Sequence, residues 1–310
     1  MTEVPTKNQN SKNQNGHNQQ DKYLSTRVSQ RGDRKINQDR CEIFEHDGIT
    51  VLALADGMGG HPKGEIAAQI FIDTAYQHLK KYTAENFEPN VFIADVMRRA
   101  HKNILKFGIE KRPPIYPRST AVIVIIVDGI MYWSHLGDSR TYLFRHGRAH
   151  MRTMDHTRAE AMRLSGKLAD GDAQAVASGR SGVSKCLGGM KKPNEIEITP
   201  PLALQAGDII LLCTDGVWSQ LKNQELEDIV LDSSLQFEER ISDLVDNAVK
   251  AAHPNSDNAT VLALFWQANS NKSSNEPNTL QPGPGISNVK NVDNVDDALD
   301  NLLNLIDKYN

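Results

Sequence analysis

Apolar residues along this chain fall into two patterns. Short continuous or alternating apolar runs predict β-strands, and stripes at three- and four-residue spacing predict helices. The runs that predict strands are 23–29, 41–45, 51–55, 120–127, 130–136, 141–144, 148–152, 195–199, 208–213 and 259–266. The stripes predict helices at 64–82, 89–107, 158–168 and 234–252.

The turns between these elements indicate how the strands pair. Asp128-Gly129 lies between two β-branched runs, which is a strong hairpin signal, and His146-Gly147 joins the next pair. Strands paired in hairpins and helices that follow one another predict an antiparallel α+β layer protein.

Three other regions lack this patterning or lie outside it. Residues 1–22 contain almost nothing apolar and predict a disordered N-terminal tail, and 268–288 reads as a flexible linker. The small, polar stretch at about 156–190 predicts a flap within a domain that covers 23–267. Residues 289–310 predict an amphipathic helix, which either docks on its own domain or binds a partner or a second copy.

Composition excludes several classes of function. The 310 residues are 39% hydrophobic and 24% charged, with a net charge of −4, so nothing indicates nucleic-acid binding. The longest apolar run, 121–127, is too short to cross a membrane. Three cysteines without metal-ligand spacing argue against zinc and disulfides, and we expect a cytoplasmic protein.

Aspartates stand at the ends of several predicted strands. Asp56 and Asp215 each follow a strand and precede a glycine, Asp138 follows a third strand, and Asp257 precedes the last one. If these ends converge, the carboxylates repel one another unless cations neutralise them. Clustered carboxylate oxygens suit Mg²⁺ or Mn²⁺.

This chemistry fits the hydrolysis of a phosphate ester. Two hard cations polarise a phosphoryl oxygen and lower the pKa of water, and an arginine binds the remaining phosphate oxygens. Arg34 lies five residues before Asp39 in a loop that is expected to face the cluster. No cysteine or serine stands in a convincing nucleophile motif, so activated water fits better than a covalent intermediate.

The ordered motifs of residues 23–266 resemble those of the metal-dependent serine/threonine protein phosphatases of type 2C, the PPM family, in their bacterial form. The matching pieces are 34–39 (Arg-Lys-Ile-Asn-Gln-Asp), 55–60 (Ala-Asp-Gly-Met-Gly-Gly), 119–121 (Ser-Thr-Ala), 137–140 (Gly-Asp-Ser-Arg), 155–157 (Asp-His-Thr), 214–216 (Thr-Asp-Gly) and 257–260 (Asp-Asn-Ala-Thr).

The resemblance implies a fold, an activity and a set of roles. The fold would be an αββα sandwich of two antiparallel sheets flanked by helices, and the activity Mg²⁺- or Mn²⁺-dependent hydrolysis of phosphoserine and phosphothreonine in proteins. By this resemblance Asp56 would bridge two metals, with the Gly57 carbonyl as a further ligand of one, and Asp215 and Asp257 would complete the second metal. Asp39 would hold metal-bound water, and Asp138 would match the aspartate used for a third, weaker metal. Arg34 would bind the substrate phosphate.

The sequence departs from the family pattern at some positions. Gln38 stands where many members have glutamate, and Met58 stands where some have a histidine proposed as general acid, with His61 three residues later. Arg118 replaces the usual glycine before Ser119, as either a phosphate contact or a surface arginine.

Two expectations about partners and one alternative follow. We expect phosphoproteins as substrates and a serine/threonine kinase pathway as the counterpart. The alternative is a catalytically weak or inactive module that binds phosphoproteins and recruits a partner through 289–310. An inactive member should have lost a metal ligand, whereas all the aspartates are present here.

Overall fold

The computed structural model of the chain describes residues 22–166, 182–189 and 196–267. The linker and the C-terminal helix lie outside the described residues, as do 1–21 of the predicted N-terminal tail and 167–181 and 190 of the flap. Those assignments stay predictions. No helix among the described residues is long and apolar enough to span a membrane.

Ten strands and six α-helices make up the described part. The strands are β1 (Tyr23–Gln30), β2 (Asp39–His46), β3 (Ile49–Asp56), β4 (Ala121–Val127), β5 (Ile130–Leu136), β6 (Arg140–Arg145), β7 (Arg148–Arg152), β8 (Leu202–Ala203), β9 (Ile209–Cys213) and β10 (Ala259–Trp266). The helices are α1 (Gly64–Leu79), α2 (Pro89–Ile109), α3 (Arg158–Leu164), α4 (Asp215–Trp218), α5 (Asn223–Leu231) and α6 (Phe237–Ala252).

The strands form two five-stranded sheets, and every pairing within them is antiparallel. One sheet has the order β1-β10-β9-β6-β7 and the other β2-β3-β4-β5-β8. Helices α1 and α2 cover the outer face of the second sheet, and α4, α5 and α6 cover the outer face of the first. The predicted αββα sandwich is confirmed.

The alternation of side chains along the central strands separates the layers. On β3, Val51 and Ala53 face the helices, while Leu52 and Leu54 point into the layer between the sheets. On β10, Val261 faces α6 and Leu262 faces the other sheet. Both faces of these strands are buried, which explains why they read as continuous apolar runs.

Some sequence predictions are confirmed and others are wrong. The hairpin at Asp128-Gly129 is present, with both residues at positive φ (51° and 73°), as a two-residue turn of this kind requires. The strand predicted at 195–199 is wrong in its described part, where Ile198 makes one isolated bridge to Ser134. Helices α4 and α5 were not predicted, because α4 spans one turn and α5 has a short apolar stripe.

Candidate metal centre

The sheet registers bring the predicted aspartates to one end of the sandwich. Cys213, the last residue of β9, pairs with Arg140 at the start of β6 and with Val261 near the start of β10. Asp215 therefore leaves β9 at the same end at which Asp138 enters β6 and Asp257 enters β10.

The other sheet contributes two aspartates that face each other. Asp39 on β2 is the register partner of Asp56 on β3. Both side chains continue the rows that point between the sheets, since Cys41 and Leu54 lie in that layer. Two carboxylates directly opposite one another on adjacent strands are destabilising unless something compensates their charge.

Asp39 is nearly fully buried, with 3% of its surface exposed. Its Oδ2 accepts a hydrogen bond of 2.9 Å from the Thr214 hydroxyl, which links the two sheets. The Thr214 hydroxyl in turn accepts a hydrogen bond from the Thr260 backbone amide at 3.0 Å. The other oxygen of Asp39, Oδ1, is buried and has no hydrogen-bond partner among the described residues.

The backbone of Asp56 is held by the start of β4. Its amide donates to the Thr120 hydroxyl at 2.8 Å, and its carbonyl accepts from the Thr120 amide at 2.8 Å and from the Ser119 hydroxyl at 2.9 Å. The Thr120 hydroxyl also bonds the Ser139 hydroxyl, 2.8 Å away. Two of the matched motifs, 119–121 and 137–140, therefore fix the backbone from which the Asp56 carboxylate extends.

Gly57 and Gly64 pack backbone against backbone at the turn after β3. A Cβ on Gly57 would lie 2.3 Å from the Gly64 carbonyl carbon, so no larger residue fits without moving α1. The Gly57 amide donates to the Gln38 carbonyl at 3.2 Å, which ties this turn to the loop that precedes Asp39.

Asp257 and Arg34 form an ion pair at the rim of the cluster. Arg34 Nη2 lies 2.7 Å from Asp257 Oδ2, and the arginine side chain is 57% exposed. Asn258 holds the arginine loop, because its amide group donates to the carbonyls of Arg31 and Ile36 and its Oδ1 accepts from the Gln38 amide.

Asp138 is buried beside α4. The Trp218 indole donates to the Asp138 carbonyl at 2.9 Å, and the Arg140 guanidinium lies 3.4 Å above the Trp218 ring. Arg140 also makes a two-pronged ion pair with Asp155, with both distances 2.7 Å. The matched motif at 155–157 thus supports the strand that begins after Asp138.

The electrostatics confirm that these carboxyls share one region. Burial, followed by the negative charges of Asp39, Asp215, Asp138 and Asp257, raises the pKa of Asp56 well above its ordinary value. Burial is also the largest cause that raises the pKa of Asp39 to about 7, of Asp138 to about 7 and of Asp215 to about 6.

This donor set fits hard divalent cations. The side chains are carboxylates, one buried oxygen lacks a partner, and cations would relieve the repulsion that raises the pKa values. In the described part of the chain, however, no three histidine, cysteine, aspartate or glutamate side chains close around one point as a finished metal cage. The Asp257 carboxylate pairs with Arg34, so ligation by this set requires side-chain movement.

Sequence reasoning missed the residues that position the aspartates. Thr214, Trp218, Arg140 and Asn258 lie in or beside the matched motifs, but the sequence alone gave them no role. Their contacts join elements far apart in the chain, and no local pattern reveals such partners. His61 follows in the turn after Asp56, where burial and, secondly, the charge of Arg118 lower its pKa.

Comparison with known proteins identifies the family. The profile described as Protein phosphatase 2C matches residues 26–262. The serine/threonine protein phosphatase PstP of Mycobacterium tuberculosis is 30% identical over 247 residues, which cover 77% of this chain and 45% of PstP. The chain belongs to the protein phosphatase 2C family.

Solved structures share the fold. Serine/threonine phosphatase Stp1 from Staphylococcus aureus has a TM-score of 0.72 at 21% identity, with 79% of this chain and 96% of that chain covered. The catalytic domain of PstP in complex with two manganese ions has a TM-score of 0.66 at 23% identity, covering 79% and 99%. The chain spans less than half of the full PstP sequence that it matches.

Proposed function

We propose that this protein hydrolyses phosphoserine and phosphothreonine in other proteins by a metal-dependent attack of water. The observation that carries this proposal is the convergence of Asp39, Asp56 and Asp215 at one end of the sandwich. There Asp39 lies opposite Asp56, and its buried Oδ1 has no hydrogen-bond partner among the described residues. Membership of the protein phosphatase 2C family supports it.

Asp56, the Gly57 carbonyl, Asp215 and Asp257 would hold two Mg²⁺ or Mn²⁺ ions, and Asp138 would contribute to a third. When bound, such ions polarise the phosphoryl oxygens and lower the pKa of water toward ~7. The manganese pair in the PstP structure supports a binuclear assignment.

The protein groups supply orientation and charge. Asp39 orients the attacking water through its free Oδ1, while Thr214 fixes its other oxygen. Arg34 binds the phosphate oxygens as a planar fork. Its present ion pair with Asp257 is half-exposed, and pairs of this kind contribute only about 0–1 kcal/mol, so a phosphate competes for Arg34 readily.

The test is hydrolysis of a phosphothreonine peptide by the full chain, with Mn²⁺ or Mg²⁺ and with chelator. We expect turnover only with the ions and its loss in Asp56→Ala. Asp73→Ala, which removes an exposed carboxylate on α1, is the matched control and keeps the activity. Full turnover in chelator would reject the mechanism.

The physiological setting is also proposed. Phosphoproteins are the expected substrates, in line with the serine/threonine phosphatase names of the relatives. A serine/threonine kinase pathway as the counterpart remains a prediction from the sequence. Recruitment of a partner or self-association through 289–310 and a cytoplasmic location remain predictions from the sequence. The inactive-module alternative gains no support, because every carboxylate of the proposed set is present.

A further inference from the structure

In the described part of the chain, the charge of Arg118 has no partner. Its Nε is buried and has no hydrogen-bond partner among the described residues, where its guanidinium also forms no ion pair. By contrast, the two most buried arginines, Arg140 and Arg145, each bind a carboxylate through two nitrogens. A buried unmatched donor is costly, so a structural role alone does not explain Arg118.

The backbone places Arg118 beside the proposed metal centre. Its carbonyl accepts a hydrogen bond from the Met58 amide at 3.0 Å, in the turn that follows Asp56. The next residue, Ser119, pairs with Leu187 through two backbone hydrogen bonds of 3.2 and 2.9 Å. Arg118 therefore lies where the turn after β3 meets the 182–189 segment.

The neighbours of Arg118 do not neutralise it. Burial and, secondly, the charge of Arg118 lower the pKa of His61, whose Nδ1 is buried without a hydrogen-bond partner. Burial raises the pKa of the Cys186 thiol, which Arg118 lowers only in part. Both groups are uncharged at neutral pH, so the positive charge is available to an incoming anion.

An anion bound at Arg118 would be a different group from the phosphoryl group that reacts. The charge of Arg34 acts to lower the pKa of Asp215, and that of Arg140 acts to lower the pKa of Asp138. The charge of Arg118 instead acts to lower the pKa values of His61 and Cys186. The backbone hydrogen bond from Met58 places Arg118 next to the turn that follows Asp56. An extended peptide advances about 3.3–3.6 Å per residue, so a group a few residues from the phosphorylated one reaches a neighbouring subsite.

We propose that Arg118, flanked by His61, forms a second anion subsite that binds a phosphate or carboxylate near the phosphoresidue of the substrate. The inference rests on the proposed phosphatase function and narrows its substrates to multiply phosphorylated or acidic sequences. A guanidinium suits both groups, because its fork matches the oxygen pair of either.

The first test uses the wild-type full chain with Mn²⁺. Phosphothreonine peptides carry alanine, glutamate or phosphoserine at each flanking position in turn, and kcat/KM is measured for each. We expect a preference of about tenfold or more for an anion over alanine at one or two positions, the size of one charge-assisted hydrogen bond. The glutamate and phosphoserine arms distinguish carboxylate from phosphate.

The second test changes the arginine. Arg118→Ala should reduce the ratio of kcat/KM between anionic and alanine peptides toward one. Arg118→Glu should invert the ratio, so that the alanine peptides are preferred. Arg98→Ala is the matched control: Arg98 is exposed on α2 and pairs with Asp95, so the ratio should not change. If Arg118→Ala misfolds, Arg118→Gln, which keeps the apolar stem, replaces it.

The outcomes separate the two proposals. Turnover without any preference for an anion in the wild type, or a preference that survives Arg118→Ala, overturns the subsite and leaves the phosphatase function intact. Absence of turnover on every peptide with either ion contradicts the function itself.

Discussion

The Trp218 indole donates a hydrogen bond of 2.9 Å to the Asp138 carbonyl, joining the one-turn helix α4 to the strand end of the proposed third metal site. Because α4 begins at Asp215, this contact fixes two aspartates of the cluster relative to each other. The Arg140 guanidinium stacks on the same ring, 3.4 Å from its centre. Trp218 thus positions acidic residues from two strands.

The change Trp218→Phe separates the hydrogen bond to the Asp138 carbonyl from the stacking on Arg140. Phenylalanine keeps a ring beneath Arg140 but removes the donor, which leaves the Asp138 carbonyl without this partner. We expect a loss of about 1 kcal/mol in the free energy of unfolding, measured by urea titration. We also expect a higher Mn²⁺ concentration for half-maximal turnover, with activity largely restored at saturating Mn²⁺.

A matched control is Trp266→Phe at the end of β10, where the ring stacks on Tyr23 away from the cluster. It should leave the Mn²⁺ dependence unchanged. An unchanged Mn²⁺ dependence in Trp218→Phe would show that the indole supports only the fold.

Sequence alone predicted much of the fold because the two central strands of each sheet are buried on both faces. Leu52 and Leu54 face one layer and Val51 and Ala53 the other, so β3 reads as an uninterrupted apolar run. The edge strand β8 has only two residues, and its pairing with Ile130 depends on distant chain segments. A pattern that short carries no periodic signal, which explains why the sequence favoured 195–199 instead.

The candidate site likewise contains some residues that the sequence predicted and others that it did not. An aspartate at a strand end can be recognised in the sequence from the apolar run before it and the glycine after it, as at Asp56. The register that places Asp39 opposite Asp56 depends on strand pairing, and the family resemblance supplied what the pattern could not. The hydroxyl of Thr214, which bridges the sheets to Asp39, had no signal in the sequence beyond its motif.

The proposed function predicts that the acidic cluster destabilises the protein when cations are withheld. Burial and four neighbouring carboxylates raise the pKa of Asp56 well above its ordinary value, so its charge is unfavourable in the fold. In chelator, Asp56→Asn should therefore raise the free energy of unfolding by roughly 1–2 kcal/mol while it abolishes turnover. Thermal unfolding in chelator and in Mn²⁺ measures the change in stability, and phosphopeptide hydrolysis measures the loss of turnover.

Asp73→Asn is the control for this change, because Asp73 is exposed on α1 and, within the described residues, its side chain hydrogen-bonds Gln69 on the same helix. It should alter neither stability nor turnover appreciably. A destabilised Asp56→Asn protein in chelator would contradict the view that the carboxylates repel one another.

The ion pair of Arg34 with Asp257 predicts opposite effects on substrate and metal. Arg34→Ala removes the phosphate fork, so KM for a phosphopeptide should rise about tenfold. It also releases Asp257 Oδ2, which Arg34 contacts at 2.7 Å, so less Mn²⁺ should saturate the enzyme. Steady-state kinetics over a grid of peptide and Mn²⁺ concentrations separates the two effects.

Arg98→Ala again serves as the control for a lost exposed arginine. The ion pair has a functional role only if KM for the phosphopeptide rises while the Mn²⁺ concentration needed for saturation falls. A rise in KM with no change in the Mn²⁺ requirement would mean that Asp257 is not a metal ligand, or that the ion pair does not restrain it.

The stacked pair His135 and His156 predicts an acid-sensitive contribution to stability. Their ring centres are 4.4 Å apart, and the Gly137 amide donates to His156 Nδ1 at 3.3 Å, which requires a neutral ring. Burial, followed by the positive influence of His135 and Lys185, lowers the pKa of His156 to about 3. The unfolded chain binds this proton near pH 6.5.

Between these values the unfolded state holds more protons, so stability rises with pH and is lost as pH falls from about 6.5 toward 3. His156→Gln removes this dependence, and its free energy of unfolding should fall less steeply than that of the wild type over the same window. The raised pKa values of Asp39, Asp138 and Asp215 act in the opposite direction between about 4 and 7, but they are common to both proteins and cancel in the difference.

His150→Gln, an exposed change on β7, should reproduce the wild-type slope. If His156→Gln and the wild type run parallel from pH 7 to 4, the histidine is not held neutral by its surroundings.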